Sequence, residues 1–183
     1  PYFSKDLNEI FYVLSNTADG ELVYDQNGKN ALAIGLAGYN GSFEYILKDL
    51  STSFYYPFYE AKTQRLYFVA NFEEGYGGTD IYYVNTNNGQ IMSSPVNLGP
   101  RINSPGNEIA PYIFNNSLYF SSDVFYGLGG MDIYKSNIMD VDKFSIPINL
   151  GRGINTTSDD FGFIIRNGAS GDFEGYFSSN RQG

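Results

Sequence analysis

The chain repeats itself. Residues 66–103 align without a gap onto residues 118–155 at an offset of 52, and 17 of those 38 positions are identical. Two near-copies of about 50 residues call for two near-copies of one supersecondary unit, so the repeat limits the architecture before any single residue does. The shared blocks are RLYF and SLYF, then GYGGTDIY and GLGGMDIY, then PVNLG and PINLG, each closed by an Ile-Asn pair at 102–103 and 154–155. A shorter copy, GYFSSNRQG, ends the chain, and PYFSKDLNEIFYVLSN at the start resembles PYIFNNSLYFSSD from Pro111.

Within one unit the turn signals mark off four strands, near Ala110–Phe114, Leu118–Ser122, Asp132–Ser136 and Ser145–Leu150. Tyr and Phe number 17 and 15, while 21 Gly and 19 Asn are spread along the chain, a balance that suits many short strands joined by tight turns. Four strands in about 50 residues is the content of one propeller blade. The expectation is an all-β β-propeller showing about three and a half four-stranded blades, near 1–53, 54–107, 108–159 and an incomplete 160–183. The ring would hold about six to eight blades, with the remainder on a longer chain.

The formal net charge is −9, which argues against a nucleic-acid surface, since such surfaces need clustered cations. Neither Cys nor His occurs, so thiolate chemistry, imidazole general bases and the commonest transition-metal ligands are absent. These absences predict no catalytic residues, no metal and no cofactor. ALAIGLAG, 31–38, is the longest apolar run and falls well short of the ~20 residues of a membrane helix.

Asp80 and Asp132 each follow a Gly pair, Gly77-Gly78 and Gly129-Gly130, and precede Ile-Tyr. The expected role is structural: a carboxylate accepting backbone N–H bonds and fixing entry into the third strand, with the glycines making the turn. Glu108, Asp159 and Asp160 stand at the start of first strands, where they could bind a cation or polar ligand; their spacing is not that of an EF-hand loop. Glu73 and Glu74 face Phe125 and Tyr126 in the alignment, and divergent loops on a repeated frame are candidate binding loops. The cluster Tyr55, Tyr56, Phe58 and Tyr59 reads either as first-strand core or as a partner surface.

The acidic residue, Ala-Pro, LYFSS, Gly-Gly-x-Asp-Ile-Tyr and the Leu-Gly-x-x-Ile-Asn linker together resemble PD40 repeats of TolB-like propellers. The linkers NLGPRINSPGNEIAP and NLGRGINTTSDDFGF are similar to those of Bacteroidetes envelope proteins that join such a propeller to an OmpA-like domain, among them a periplasmic lipoprotein of the type IX secretion and gliding apparatus. The first copy departs from this pattern, carrying ADGELVYDQN in place of the Gly-Gly-x-Asp turn. The resemblance implies a non-enzymatic scaffold in the periplasm or at the outer membrane. Its partners would be other envelope proteins, with peptidoglycan reached through a domain outside these residues. Two other functions suit such a propeller: gating a peptidase domain elsewhere on the chain, or binding glycan.

Overall fold

The computed structural model describes residues 1–182 and is all-β, built of small antiparallel sheets. By compactness the chain forms two units, one of residues 1–74 and 82–96, the other of residues 75–81 and 97 onward.

The first unit opens with a four-stranded sheet in the order β1 (Tyr2–Ser4), β2 (Glu9–Ser15), β5 (Leu32–Gly38), β6 (Phe43–Leu47). Between β2 and β5 lies a separate hairpin of β3 (Thr17–Ala18) and β4 (Glu21–Leu22), which occupies the stretch where the Gly-Gly-x-Asp turn is missing from the sequence. A second sheet runs β10 (Gln90–Ile91), β9 (Asp80–Asn87), β8 (Arg65–Ala70), β7 (Phe54–Glu60), with β11 (Val96–Asn97) also on β9. The core of the first unit is aromatic and aliphatic: Phe11, Ile34, Leu36, Phe54, Tyr59, Leu66, Phe68 and Tyr82 are all buried in one cluster. Of the early aromatic run, Phe58 and Tyr59 are buried and Tyr56 is exposed, so most of it serves the core.

In the second unit, β12 (Glu108–Phe114), β13 (Ser117–Ser122), β14 (Asp132–Asp140) and β15 (Lys143–Phe144) form a sheet in chain order, and β16 (Ile148–Asn149) also pairs with β14. Of the fourth strand expected over 145–150 only Ile148–Asn149 is strand, and a second short piece, Lys143–Phe144, lies before Ile146-Pro147; proline has no N–H to give a ladder. A last hairpin joins β17 (Asp160–Asn167) and β18 (Phe173–Ser179). Tyr119, Ile133 and Phe163 centre the core between these two sheets.

Two details recur in register. The pairing of first and second strands slips at the same place three times, between Tyr55 and Phe58, Ile109 and Tyr112, and Phe161 and Ile164. The bulged residue has positive φ each time: Tyr56 at 47°, Ala110 at 53° and Gly162 at 68°. Pro57 and Pro111 follow the first two, in the one setting where a strand interior tolerates proline. A first-strand tyrosine hydroxyl also donates to the first-strand backbone of the next sheet, Tyr2 to the Tyr59 carbonyl at 3.2 Å and Tyr112 to that of Ile165 at 2.7 Å.

Gly162 shows what the bulge prefers. A Cβ in the left-handed region costs about 1–2 kcal/mol, and the added backbone freedom of glycine when unfolded takes back about 0.5–1 kcal/mol. Ala110→Gly is accordingly expected to stabilise the chain by about 0.5 kcal/mol, and Gly162→Ala to destabilise it, both read by urea denaturation.

Candidate functional site

The repeated motifs converge where the loop after a second strand meets the linker entering the next first strand. In the second unit this happens twice, with the same residues 52 apart. Gly78 N donates to Gly106 O at 2.7 Å and Glu108 N to Thr79 O at 2.8 Å; Asp160 N donates to Met131 O at 2.7 Å. The Gly pairs, expected to make the turn, are needed here for room. None of the four appears among the positive-φ glycines, whereas a Cβ on Gly77 would lie 2.4 Å from the Ser104 and Gly106 carbonyl oxygens. On Gly129 it would lie 2.1 Å from Ser158 O. On Gly78 and Gly130 it would strike the side chains of Asn107 and Asp159.

Asp80 and Asp132 each gather donors from the loop before them and from the fourth strand. Asp80 Oδ2 accepts Tyr76 N at 2.6 Å and Asn97 Nδ2 at 2.8 Å; Asp132 Oδ2 accepts Leu128 N, Gly129 N and Asn149 Nδ2. Their other oxygens, Oδ1, are buried in both copies without a protein hydrogen-bond partner.

The Asn of each linker closes the network. Asn103 Oδ1 accepts Ile81 N at 2.8 Å, and its Nδ2 donates to Ile81 O and Asn97 Oδ1. Asn155 treats Ile133 and Asn149 identically. Each amide thus mimics a strand residue against the start of the third strand. Asn97 and Asn149 also accept the N–H of Gly99 and Gly151, whose φ of 79° and 75° turn the chain into the linker.

Glu108 and Asp160, read as possible binding residues, are fully buried and internally bonded. Ser104 N and Oγ and Ser122 Oγ all donate to Glu108. Burial pushes its carboxyl above the ordinary value; the Ser104 and Ser122 bonds pull it back, and the charge of Asp80 adds to the rise. Asp160 accepts Thr156 N and Oγ1 and pairs with Arg181 at 2.6 Å. Burial raises it too, but the bonds from Ser179, Arg181 and Thr156 outweigh burial and hold it below the ordinary value. Asp159 is half-buried, bonded to Asn180 and accepting Met131 N.

The divergent loops separate into anchor and surface. Phe125 packs on Phe120 and Tyr134, with ring centroids 6.1 and 5.4 Å away, and its carbonyl accepts the Tyr134 hydroxyl. It is a core anchor and not a free binding residue. In the other copy Phe72 fills that role against Tyr82 at 5.0 Å, one residue out of the gapless alignment, which is why the sequence did not reveal it. Glu73, Glu74, Val124, Leu128 and the wholly exposed Tyr126 remain at the surface. Among the described residues no group of three His, Cys, Asp or Glu is placed to hold a metal, and no helix is long and apolar enough to cross a membrane.

No family model matches the chain, and no curated protein matches it. Solved structures do. An endo-arabinase from Bacteroides thetaiotaomicron superposes with a TM-score of 0.59 at 12% identity over 96% of this chain and 68% of that one. The isopeptidase AtxE2 gives 0.45 at 11% identity over 92% of this chain and 23% of its own. The likeness to the endo-arabinase is one of fold and supports a β-propeller-like all-β architecture. It also corrects the expectation of a non-enzymatic module, because an endo-arabinase, which is an enzyme, is built on this kind of fold. Lack of His and Cys excluded imidazole and thiolate chemistry; it did not exclude the carboxylates, of which the chain has 20.

Asn155→Ala would strip the partners from Ile133 N and O, both in a buried strand start, and is expected to destabilise by about 2–4 kcal/mol in urea unfolding. The two carboxylates give opposite pH signatures. With Glu108 raised, the folded chain binds more protons than the unfolded chain above the ordinary Glu value, so stability from this group falls as pH rises. Glu108→Gln should then gain on the parent at pH 7 and converge with it in acid. With Asp160 lowered, its contribution is present above the ordinary Asp value and is lost as pH falls through the folded value. Asp160→Asn should lose at pH 7 and converge in acid; melting curves across pH 3–7 read both.

Proposed function

We propose that the chain is part of a PD40-type binding propeller of a bacterial cell-envelope complex, about three and a half blades of a ring of six to eight. Its partner is another envelope protein in the periplasm or at the outer membrane. The observation that carries this reading is a division of labour within the repeat. The polar groups shared by the two copies, Asp80 with Asn97 and Asn103, Asp132 with Asn149 and Asn155, are turned inward and bonded to one another. What differs and is exposed is the loop after the second strand, acidic at Glu73 and Glu74 in one copy and apolar at Val124, Tyr126 and Leu128 in the next. Exposed, divergent loops on a rigid repeated frame are where binding specificity resides, and tyrosine is enriched at interface cores.

A photo-crosslinking residue at Tyr126 in the source bacterium is expected to give one discrete adduct with an envelope protein. The same residue at Asn116, in the hairpin at the opposite end of β13, should give none. Equal labelling at both positions, or none at Tyr126, would count against the reading. The likeness to an endo-arabinase favours a second reading, in which a glycan occupies the same loops. Retention of arabinan or muropeptides by the purified chain, or release of sugar from them, together with no protein adduct at Tyr126, would replace the first reading with the second.

A further inference from the structure

The two linkers of the second unit are fastened by pairs of side chains whose identities are exchanged. Asn107 N donates to Asp123 Oδ1 at 2.7 Å, and Asn107 Nδ2 to Asp123 Oδ2 at 2.7 Å. In the next copy Asp159 N donates to Asn180 Oδ1 at 2.8 Å, and Asn180 Nδ2 to Asp159 Oδ2 at 2.8 Å. The backbone bond runs the same way each time, from the linker to the residue just past the second strand. The side-chain bond runs from amide to carboxylate in both, but the amide is on the linker in one copy and on the strand in the other. In the first unit the same place keeps only the backbone bond, Ser53 N to Asn71 Oδ1 at 2.7 Å.

Positions 107 and 159 lie 52 apart, and 123 and 180 each follow a Ser-Ser pair, so the matched positions have both changed, in compensating directions. The change at 107 is costly alone. Asp at 107 would set two carboxylates at hydrogen-bond distance, and like charges there repel unless one takes up a proton. Meanwhile the linkers and strands are otherwise alike: both linkers have the Asn-Leu-Gly-x-x-Ile-Asn pattern, and the strands end Tyr-Phe-Ser-Ser. Repeats so similar offer wrong dockings that bury nearly the same surface, and misassembly between repeats is a characteristic failure of such chains.

We infer that the exchanged Asn–Asp pairs are a register code that directs each linker to its own strand. The linker ending in Asp159, offered to the strand ending in Asp123, meets a carboxylate; offered to Asn180, it meets a donor. This goes beyond the binding reading above and does not depend on it.

The test uses Asp123→Asn, Asn107→Asp and the double variant N107D/D123N, in which both clasps become Asp–Asn. Asn107→Asp alone is expected to lower Tm by roughly 3–8 °C at pH 7, with the loss shrinking near pH 3.5, where a protonated carboxyl can donate. The double variant should recover most of that loss, because its clasp already exists at Asp159 and Asn180; it remains informative even where Asn107→Asp fails to fold. With the clasps made alike, refolding from denaturant should then show a lower native yield or an added slow phase at near-parental stability. Additive effects of the two substitutions on Tm would overturn the coupling. A double variant that refolds as fast and as completely as the parent would overturn the code.

Discussion

The bond on which the repeat depends is the one between the linker asparagine and the backbone of the third strand. Asn103 and Asn155 are almost wholly buried, and each offers one amide to both the N–H and the C=O of an isoleucine that begins a strand. A strand start buried in this way has polar groups that water cannot reach, and leaving them unpaired carries the full desolvation penalty. The linker therefore cannot be an arbitrary tether. Its Asn-Leu-Gly turn brings the second Asn back onto the start of the third strand, and the same turn leads into the following first strand. Everything around it follows from that approach. Gly77 and Gly129 are bare because linker carbonyls pass within 2.1–2.4 Å of where a Cβ would be, and Asp80 and Asp132 gather the loop N–H groups beside them.

Much of this was legible in the sequence because the constraint is local and repeated. Gly-Gly-x-Asp and Asn-Leu-Gly-x-x-Ile-Asn recur at fixed spacing, and the structural reading of Asp80 and Asp132 needed only the rule that a carboxylate after a turn collects backbone donors. The illegible parts involve partners distant in sequence. That Gly77 and Gly129 exist for clearance could not be seen without the linker that presses on them. That Phe72 answers to Phe125, and not to Val124, requires knowing which ring reaches Tyr134 and Tyr82. The division of the fourth strand at Ile146-Pro147 was visible as a proline, but the run Ser145–Leu150 looked continuous because its alternation of apolar residues survives the break. The exchange between Asn107–Asp123 and Asp159–Asn180 was also on the page, yet Asn and Asp each suit a turn on their own, so nothing marked the four as two pairs.

Glu108 and Asp160 show how one position in a repeat can be satisfied by different chemistry. Both receive linker donors, from Ser104 and from Thr156. Past the second strand the copies part: Val124 is apolar, whereas its counterpart Arg181 lays a guanidinium on Asp160 and also donates to Ile154 O. The hydrogen bonds to Glu108 all come from uncharged groups, and burial dominates its titration; at Asp160 burial is overcome. The donor sets, and not the identity of the acid, decide the direction.

These interior commitments bear on function by elimination. A carboxylate or amide already held by two or three donors is a poor candidate to meet a partner, since recruiting it would break bonds that position a strand. Glu108 and Asp160, read from sequence as possible binding residues, are in that class, as are Asp132 and Asn155. Side chains left free to specify a partner include those the two copies do not share, in loops whose bases are pinned by Phe72 and Phe125. A loop anchored by a half-buried ring beside an exposed one, as Phe125 stands beside Tyr126, presents its tip without the entropy of an unanchored chain. That pre-organisation would serve protein and glycan partners alike; the charge at the tip, acidic at Glu73 and Glu74 and apolar at Val124 and Tyr126, is what would let one repeat be distinguished from the next.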